Sequence, residues 1–279
     1  MSAVVPAGPA AASAAGTVLI LGATSPIARH IALSLAERGH ALLLAGRDSI
    51  ELERVAGDVR ARTSRVVPIA NPLVDDAGAR ARVVAHPAVR TCAFDALEEA
   101  THAPLLRELG REPFAGVVIA TGTLGDAARA RVDAGHAADI TNANYAGLVG
   151  LLTSLADRLE QQGRGFIVGL GSVAGDRGRQ SNYVYGAAKG ALALFLQGLR
   201  NRLAPRGIQV VTVKLGFVDT AMTWGLPLPL PAASPQAAAR AVLRALEAGR
   251  DVAYVPGWWR WVMLLIRAIP EFLFKRLKL

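Results

Sequence analysis

Seven short apolar runs, most of them followed by a stretch with helical spacing, constrain this chain more than any other feature of its sequence. The runs are Thr17–Leu21, Ala41–Ala45, Val89–Phe94, Gly116–Ala120, Gly165–Leu170, Ile208–Lys214 and Val252–Val255. Strands buried on both faces read as near-continuous aliphatic stretches, and their alternation with helices marks parallel βαβ units. The expected fold class is therefore α/β, a single doubly wound domain whose seven-stranded parallel sheet carries helices on both faces. The length of 279 residues suits one such domain. Hydrophobic residues make up 52% of the chain and aromatics only 5%, as expected where small aliphatic side chains pack strands against Ala-rich helices.

Helix punctuation supports this reading. One helix begins at Pro26, a favoured first helical position, and stops at Gly39. Another runs from about Tyr185 to Leu203 and is closed by Pro205. A third starts at Ser234-Pro235 and ends near Gly249. The domain is of Rossmann type and spans residues 17–256. Residues 62–88, with Pro68, Pro72, Gly78 and Pro87, exceed what one connecting helix needs; they are read as an irregular insertion or a short extra helix. The Ala/Pro-rich residues 1–16 are read as a disordered extension, since they lack the basic and apolar regions of a signal peptide. No run is apolar enough to span a bilayer, and a single cysteine, Cys92, permits no internal disulfide, so the default compartment is the cytoplasm. The net charge of +9 comes largely from scattered arginines without a dense basic block, so no nucleic acid is expected; nor is a metal.

A cofactor site is predicted at the strand ends. Gly22-Ala23-Thr24-Ser25-Pro26-Ile27-Ala28 links the first strand to the first helix, a turn that aims backbone N–H groups and a helix dipole at a pyrophosphate. Two of its three usual glycine places carry Pro26 and Ala28, so an ordinary strand-to-helix turn is the competing reading. The second strand ends Gly46-Arg47, with no acid to bind a ribose 2′-hydroxyl and a guanidinium suited to a 2′-phosphate. NADP(H) is therefore expected over NAD(H), although a surface arginine would look the same. Asp95 and Ala96 follow the third strand, where Asp95 could accept from an adenine amino group. Ala120-Thr121-Gly122 ends the fourth strand with small residues that let a cofactor lie against the backbone.

The catalytic candidates follow. Ser172 closes the fifth strand, and Tyr185 and Lys189, four residues apart at a helix start, share one face. Asn144 lies on a preceding helix. In this order and spacing, Asn144, Ser172, Tyr185 and Lys189 resemble the Asn–Ser–Tyr-x-x-x-Lys tetrad of short-chain dehydrogenase/reductases. The resemblance implies that Tyr185 passes a proton, that Lys189 lowers the tyrosine pKa and holds the nicotinamide ribose, that Ser172 binds the substrate oxygen, and that Asn144 holds a water. It also adds Asn144, Tyr185 and Lys189 to the cofactor contacts Gly22, Thr24, Ser25 and Ile27. The stretch Leu215-Gly216-Phe217-Val218-Asp219-Thr220 is similar to the family's Pro-Gly-x-x-x-Thr, departing from it at Leu215; Gly216, Val218 and Thr220 would lie at the nicotinamide. Tyr183 has no lysine four residues on and is read as structural. The Pro-rich segment Trp224–Pro231 reads as a substrate-covering loop or a linker.

Within the family, Leu21–Ser25, Phe94–Leu97, Leu124-Gly125-Asp126, Tyr183–Gly186 and the tail resemble reductases of a polyprenyl-phosphate-linked keto-pentose. That likeness implies a lipid-linked carbonyl substrate and a flavin oxidase as working partner. A homo-oligomer is also expected. The tail, residues 257–279, sets Arg260, Arg267, Glu271, Lys275 and Lys278 on one helical face and Trp258, Trp261, Leu264, Leu265, Ile269 and Phe272 elsewhere, with a kink at Pro270. Such a tail suits the inner face of an anionic membrane, and equally a helix packed on its own domain. Three functions stay open: a membrane-associated reductase of a lipid-linked sugar, a cytosolic reductase of another ketone such as a 3-oxoacyl or xenobiotic substrate, and a catalytically silent cofactor-binding scaffold.

Overall fold

The computed structural model describes residues 16–68, 82–85, 88–225 and 230–277. Its main sheet holds β1 (Thr17–Leu21), β2 (Ala41–Gly46), β5 (Val89–Ala93), β6 (Gly116–Ile119), β7 (Phe166–Ser172), β8 (Gln209–Leu215) and β9 (Val252–Val255). All neighbours pair in parallel, in the order β5-β2-β1-β6-β7-β8-β9. The winding reverses between β1 and β6, and a doubly wound sheet opens its ligand crevice at the carboxyl ends of the strands where that happens. All seven expected strands are present, most shifted by no more than a residue or two at either end.

Alternation within β1 shows why both faces are covered. Val18 and Ile20 enter one core with α1 (Pro26–Glu37), α2 (Ser49–Thr63) and α7 (Pro235–Glu247). Leu19 and Leu21 enter the other with α3 (His102–Leu109), α5 (Val149–Gln162) and α6 (Tyr183–Leu203). Each large aliphatic side chain so buried contributes roughly 1.5–3 kcal/mol. Caps set the helix starts: Asp48 accepts from Glu51 N–H at 2.9 Å, and Ser234 from Ala237 N–H at 3.2 Å. Tyr183, expected to precede α6, is its first residue. A further helix, α4 (Ala134–Asn144), lies between β6 and α5.

The reading of residues 62–88 as irregular or helical is corrected where that segment is described. β3 (Arg65–Pro68) and β4 (Arg82–Ala85) pair antiparallel as a two-stranded ribbon outside the main sheet. The extension at 1–15 and much of the 62–88 insertion lie outside the described residues, as do positions 226–229 of the predicted loop; Trp224 beside them is exposed.

The tail forms α8 (Trp259–Ala268) and α9 (Glu271–Phe274), broken at Pro270 as expected. It packs on its own domain: Trp259 and Met263 are buried with Val173 in a small cluster, and Phe274 is buried as well. Arg177 anchors it. Its guanidinium donates to the Arg267 and Ile269 carbonyls at 2.9 and 2.8 Å, pairs with Glu271 at 2.8 Å, and lies 4.1 Å from the Phe274 ring centre. The opposite face remains apolar and exposed, with Trp261 63% and Leu265 70% accessible. Trp259→Ala should therefore lower the unfolding free energy by about 3–5 kcal/mol, and Trp261→Ala should leave it within about 0.5 kcal/mol. Urea denaturation of the two variants beside the wild type checks this.

Candidate active site

The carboxyl ends of the strands enclose a cleft of about 650 Å³, within the range of small-molecule and cofactor sites. One end is built for an anion. Gly22 has φ +76°, and a Cβ there would sit 2.8 Å from the Ala120 carbonyl carbon, so no side chain fits the turn. The N–H groups of Gly22 and Ala23 donate to the Ala45 carbonyl at 2.8 and 3.1 Å, which ties the turn to β2. Ser25 is the N-cap of α1, yet its side chain makes no capping bond and the first helical turn carries no acid. The first N–H groups of α1 are thus uncapped by any side chain, which is what a bound phosphate requires.

Arg47 lines the same cleft and is exposed, with neither hydrogen bond nor ion pair to any of the described residues. The neighbouring carboxylate of Asp48 is occupied as the cap of α2. Asp95 accepts from Leu97 N–H at 3.0 Å and shares the wall with Ala96. Thr24, Ile27, Ala120, Thr121, Gly122, Gly216, Val218 and Thr220 also line the cleft.

At the other end the tetrad converges. Lys189 is fully buried, and its Nζ donates to the carbonyls of Thr121 and Leu170, both at 3.2 Å, joining the ends of two adjacent strands. Asn144 ends α4, where Tyr145 at φ −154° breaks the helix. Its Nδ2 donates to the Thr123 and Ile140 carbonyls at 2.7 and 2.8 Å, while its Oδ1 is buried without a partner among the described residues. Asn144 stands directly behind the cleft wall. A Cβ on Gly122 would press on Asn144 Oδ1 and lie 2.8 Å from Lys189 Nζ, so only glycine fits where these two side chains meet the cleft wall. Ser172 Oγ accepts from Ala174 N–H at 3.1 Å, which leaves its hydroxyl hydrogen for another acceptor. Tyr185 lies in the third position of α6 and lines the cleft beside it.

The electrostatics amend one expectation. Burial is the largest influence on Tyr185 and pushes its phenol up; the Ser172 hydroxyl and the Arg179 charge pull it back. Lys189 Nζ, 6.0 Å from the Tyr185 ring centre, is not among these influences. Burial instead lowers Lys189 itself to about 8.

The four buried side-chain polar atoms without a partner among the described residues are Thr121 Oγ1, Asn144 Oδ1, Asn182 Oδ1 and Trp259 Nε1. Three of these residues line the cleft and the fourth backs it. Such atoms are rare in folded proteins, and their gathering at one place marks a site that binds polar ligands. The cradle at Gly22, the uncapped α1 and these unpartnered polar atoms fit a nicotinamide dinucleotide. Among the cleft residues that the sequence reading did not place in the site are Trp259 and Arg179. Trp259, taken as part of a tail, packs on Gly216; Arg179 stands in an irregular loop where no spacing singles it out.

Comparison with known proteins gives a consistent picture. The family described as short chain dehydrogenase matches residues 16–228. An uncharacterized oxidoreductase of Mycobacterium tuberculosis is 38% identical over 266 residues, covering 94% of this chain and 97% of its own length. One from Streptomyces coelicolor is 34% identical, covering 94% and 95%. Among solved structures, a short-chain dehydrogenase from Sphingobium yanoikuyae in complex with NADPH aligns with a TM-score of 0.74 at 26% identity, covering 92% of this chain and 97% of that one.

Proposed function

The chain belongs to the short-chain dehydrogenase/reductase family and is an NAD(P)-dependent oxidoreductase of a carbonyl or alcohol; from that premise we propose that it reduces the ketone of a polyprenyl-phosphate-linked sugar with NADPH at a membrane surface. The observation that carries the reductase chemistry is the convergence of Ser172, Tyr185 and Lys189 on the cleft that also holds the phosphate cradle.

When bound, the nicotinamide supplies the hydride that reduces the carbonyl carbon. Gly22, Thr24, Ser25 and Ile27 would hold the pyrophosphate, Arg47 the 2′-phosphate, Asp95 and Ala96 the adenine end, and Gly216, Val218 and Thr220 the nicotinamide end. Ser172 donates a hydrogen bond to the substrate oxygen, and Tyr185 delivers the proton that the developing alkoxide takes up. The Ser172 hydroxyl and the Arg179 charge favour the tyrosinate that remains, and a water held by Asn144 would relay a proton between Lys189 and solvent.

Three features support the finer reading. Arg47 has no acidic neighbour engaging it and no partner of its own among the described residues. Leu124-Gly125-Asp126 and the tail resemble decaprenylphosphoryl-2-keto-erythro-pentose reductase, which works with a flavin oxidase that supplies the ketone. The exposed apolar face of α8 and α9 is flanked by exposed Arg260, Lys275 and Arg276, an arrangement suited to anionic lipid. No helix among the described residues is long and apolar enough to cross a membrane, so the association would be peripheral.

Tyr185→Phe tests the chemistry. The variant should lose at least about 100-fold in kcat for ketone reduction, the usual contribution of a positioned acid, while NADPH affinity changes little. A near wild-type kcat in steady-state assay would contradict the mechanism. Arg47→Ala should weaken NADPH by roughly 1.5–3 kcal/mol, the worth of a charge-assisted bond to phosphate, and leave NADH nearly untouched. Calorimetric titration with both cofactors reads the difference; equal losses would show that Arg47 does not read the phosphate.

A further inference from the structure

The loop from Gly175 to Asn182 joins the serine strand to the tyrosine helix, and most of its charged groups are spoken for. Asp176 pairs with Lys214 and accepts from the Tyr254 hydroxyl at 2.7 Å. Arg177 is taken up by the tail carbonyls and Glu271. From outside the loop, Arg131 donates to the Gln180 carbonyl at 2.9 Å. These contacts hold the backbone on both sides of Arg179. Arg179 is the exception: half-buried and lining the cleft, it makes no side-chain hydrogen bond or ion pair with any described residue.

Its surroundings leave that charge unanswered. Burial strips water from the guanidinium, and Tyr185 is the group close enough to sense its charge. On the same wall, His136 Nε2 is taken up by the Asp126 N–H at 3.0 Å, and Asp139, solvent-exposed, lies beyond ion-pair distance of Arg179. Asn182, whose Oδ1 is buried without a partner among the described residues, lines the cleft beside the start of α6. Half-buried guanidinium groups in clefts are ordinarily paired, because an unpaired charge out of water is costly. Arg179 also lies at the Tyr185 end of the cleft, away from the turn and Arg47 that would hold the cofactor phosphates.

We infer that Arg179 is a specificity-determining residue that binds the phosphate ester of the substrate, holding it so that the ketone meets Tyr185 and Ser172. The inference rests on the reading of this cleft end as the substrate half. Arg is suited to the task, since its planar fork matches phosphate in a bidentate pair.

The test is calorimetric binding of geranyl phosphate, geraniol and inorganic phosphate to full-length protein saturated with NADP⁺. Wild type should bind geranyl phosphate at least 10-fold more tightly than either geraniol or inorganic phosphate. Arg179→Gln should erase the preference over geraniol while moving geraniol affinity less than about threefold, and Arg179→Lys should retain part of it. The assignment is overturned if wild type does not discriminate, if Arg179→Gln keeps the preference or weakens both prenyl ligands alike, or if inorganic phosphate binds as tightly as the ester. NADP⁺ titration and turnover of a neutral ketone on the same samples report separately on the reductase reading, so the two can fail independently.

Discussion

Everything functional in this molecule is arranged around one buried ammonium. Lys189 projects from α6 into the ends of β6 and β7 and is held there by the carbonyls of Thr121 and Leu170. A cation in such a place is expensive, and burial lowers its pKa to about 8. That cost is tolerated because the same contacts fix four things at once. They seat α6 on the sheet, put Tyr185 one helical turn away beside Ser172, set the ammonium against Gly122, where no side chain fits, and bring it near Asn144 Oδ1. The site is thus a property of the sheet's carboxyl edge rather than of any single loop.

The second organising contact is Arg177. By capping the carbonyls at the end of α8, it draws the C-terminal helices onto the short turn Val173–Asp176 that follows Ser172. Trp259 thereby becomes part of the cleft wall against Gly216. The helix that closes the cleft beside Gly216 on one face offers Trp261, Leu264 and Leu265 to its surroundings on the other.

Much of this was legible in the sequence, and the reasons are physical. Strands buried on both faces must be continuously apolar, so β1, β2 and β7 announce themselves, and Pro26 and Ser234-Pro235 mark helix starts through their backbone preferences. Tyr185 and Lys189 are legible because helix geometry forces residues four apart onto one face. What escaped depends on non-local pairing. The β3–β4 ribbon is stabilised by a partner strand across a long connection, with no local signal for it. The tail's composition fitted two environments because an amphipathic helix can satisfy one face with protein and the other with something else, and α8 does the former with Trp259 and Met263. Arg179 was invisible because its significance lies in what its neighbours do: Arg177 is used up and Arg179 is not.

Lys189 is a desolvated cation, and burial depresses its pKa. Lysine is scarce here, with Lys189, Lys214, Lys275 and Lys278 the only four in the chain. Selective ¹³Cε labelling therefore gives four signals, and the Lys189→Met variant identifies the one that matters. Titrated by NMR, that signal should show a midpoint near pH 8, well below the ordinary lysine value of about 10.4. A midpoint at the ordinary value would mean that Lys189 is solvated, and the account of the site built on it would be wrong.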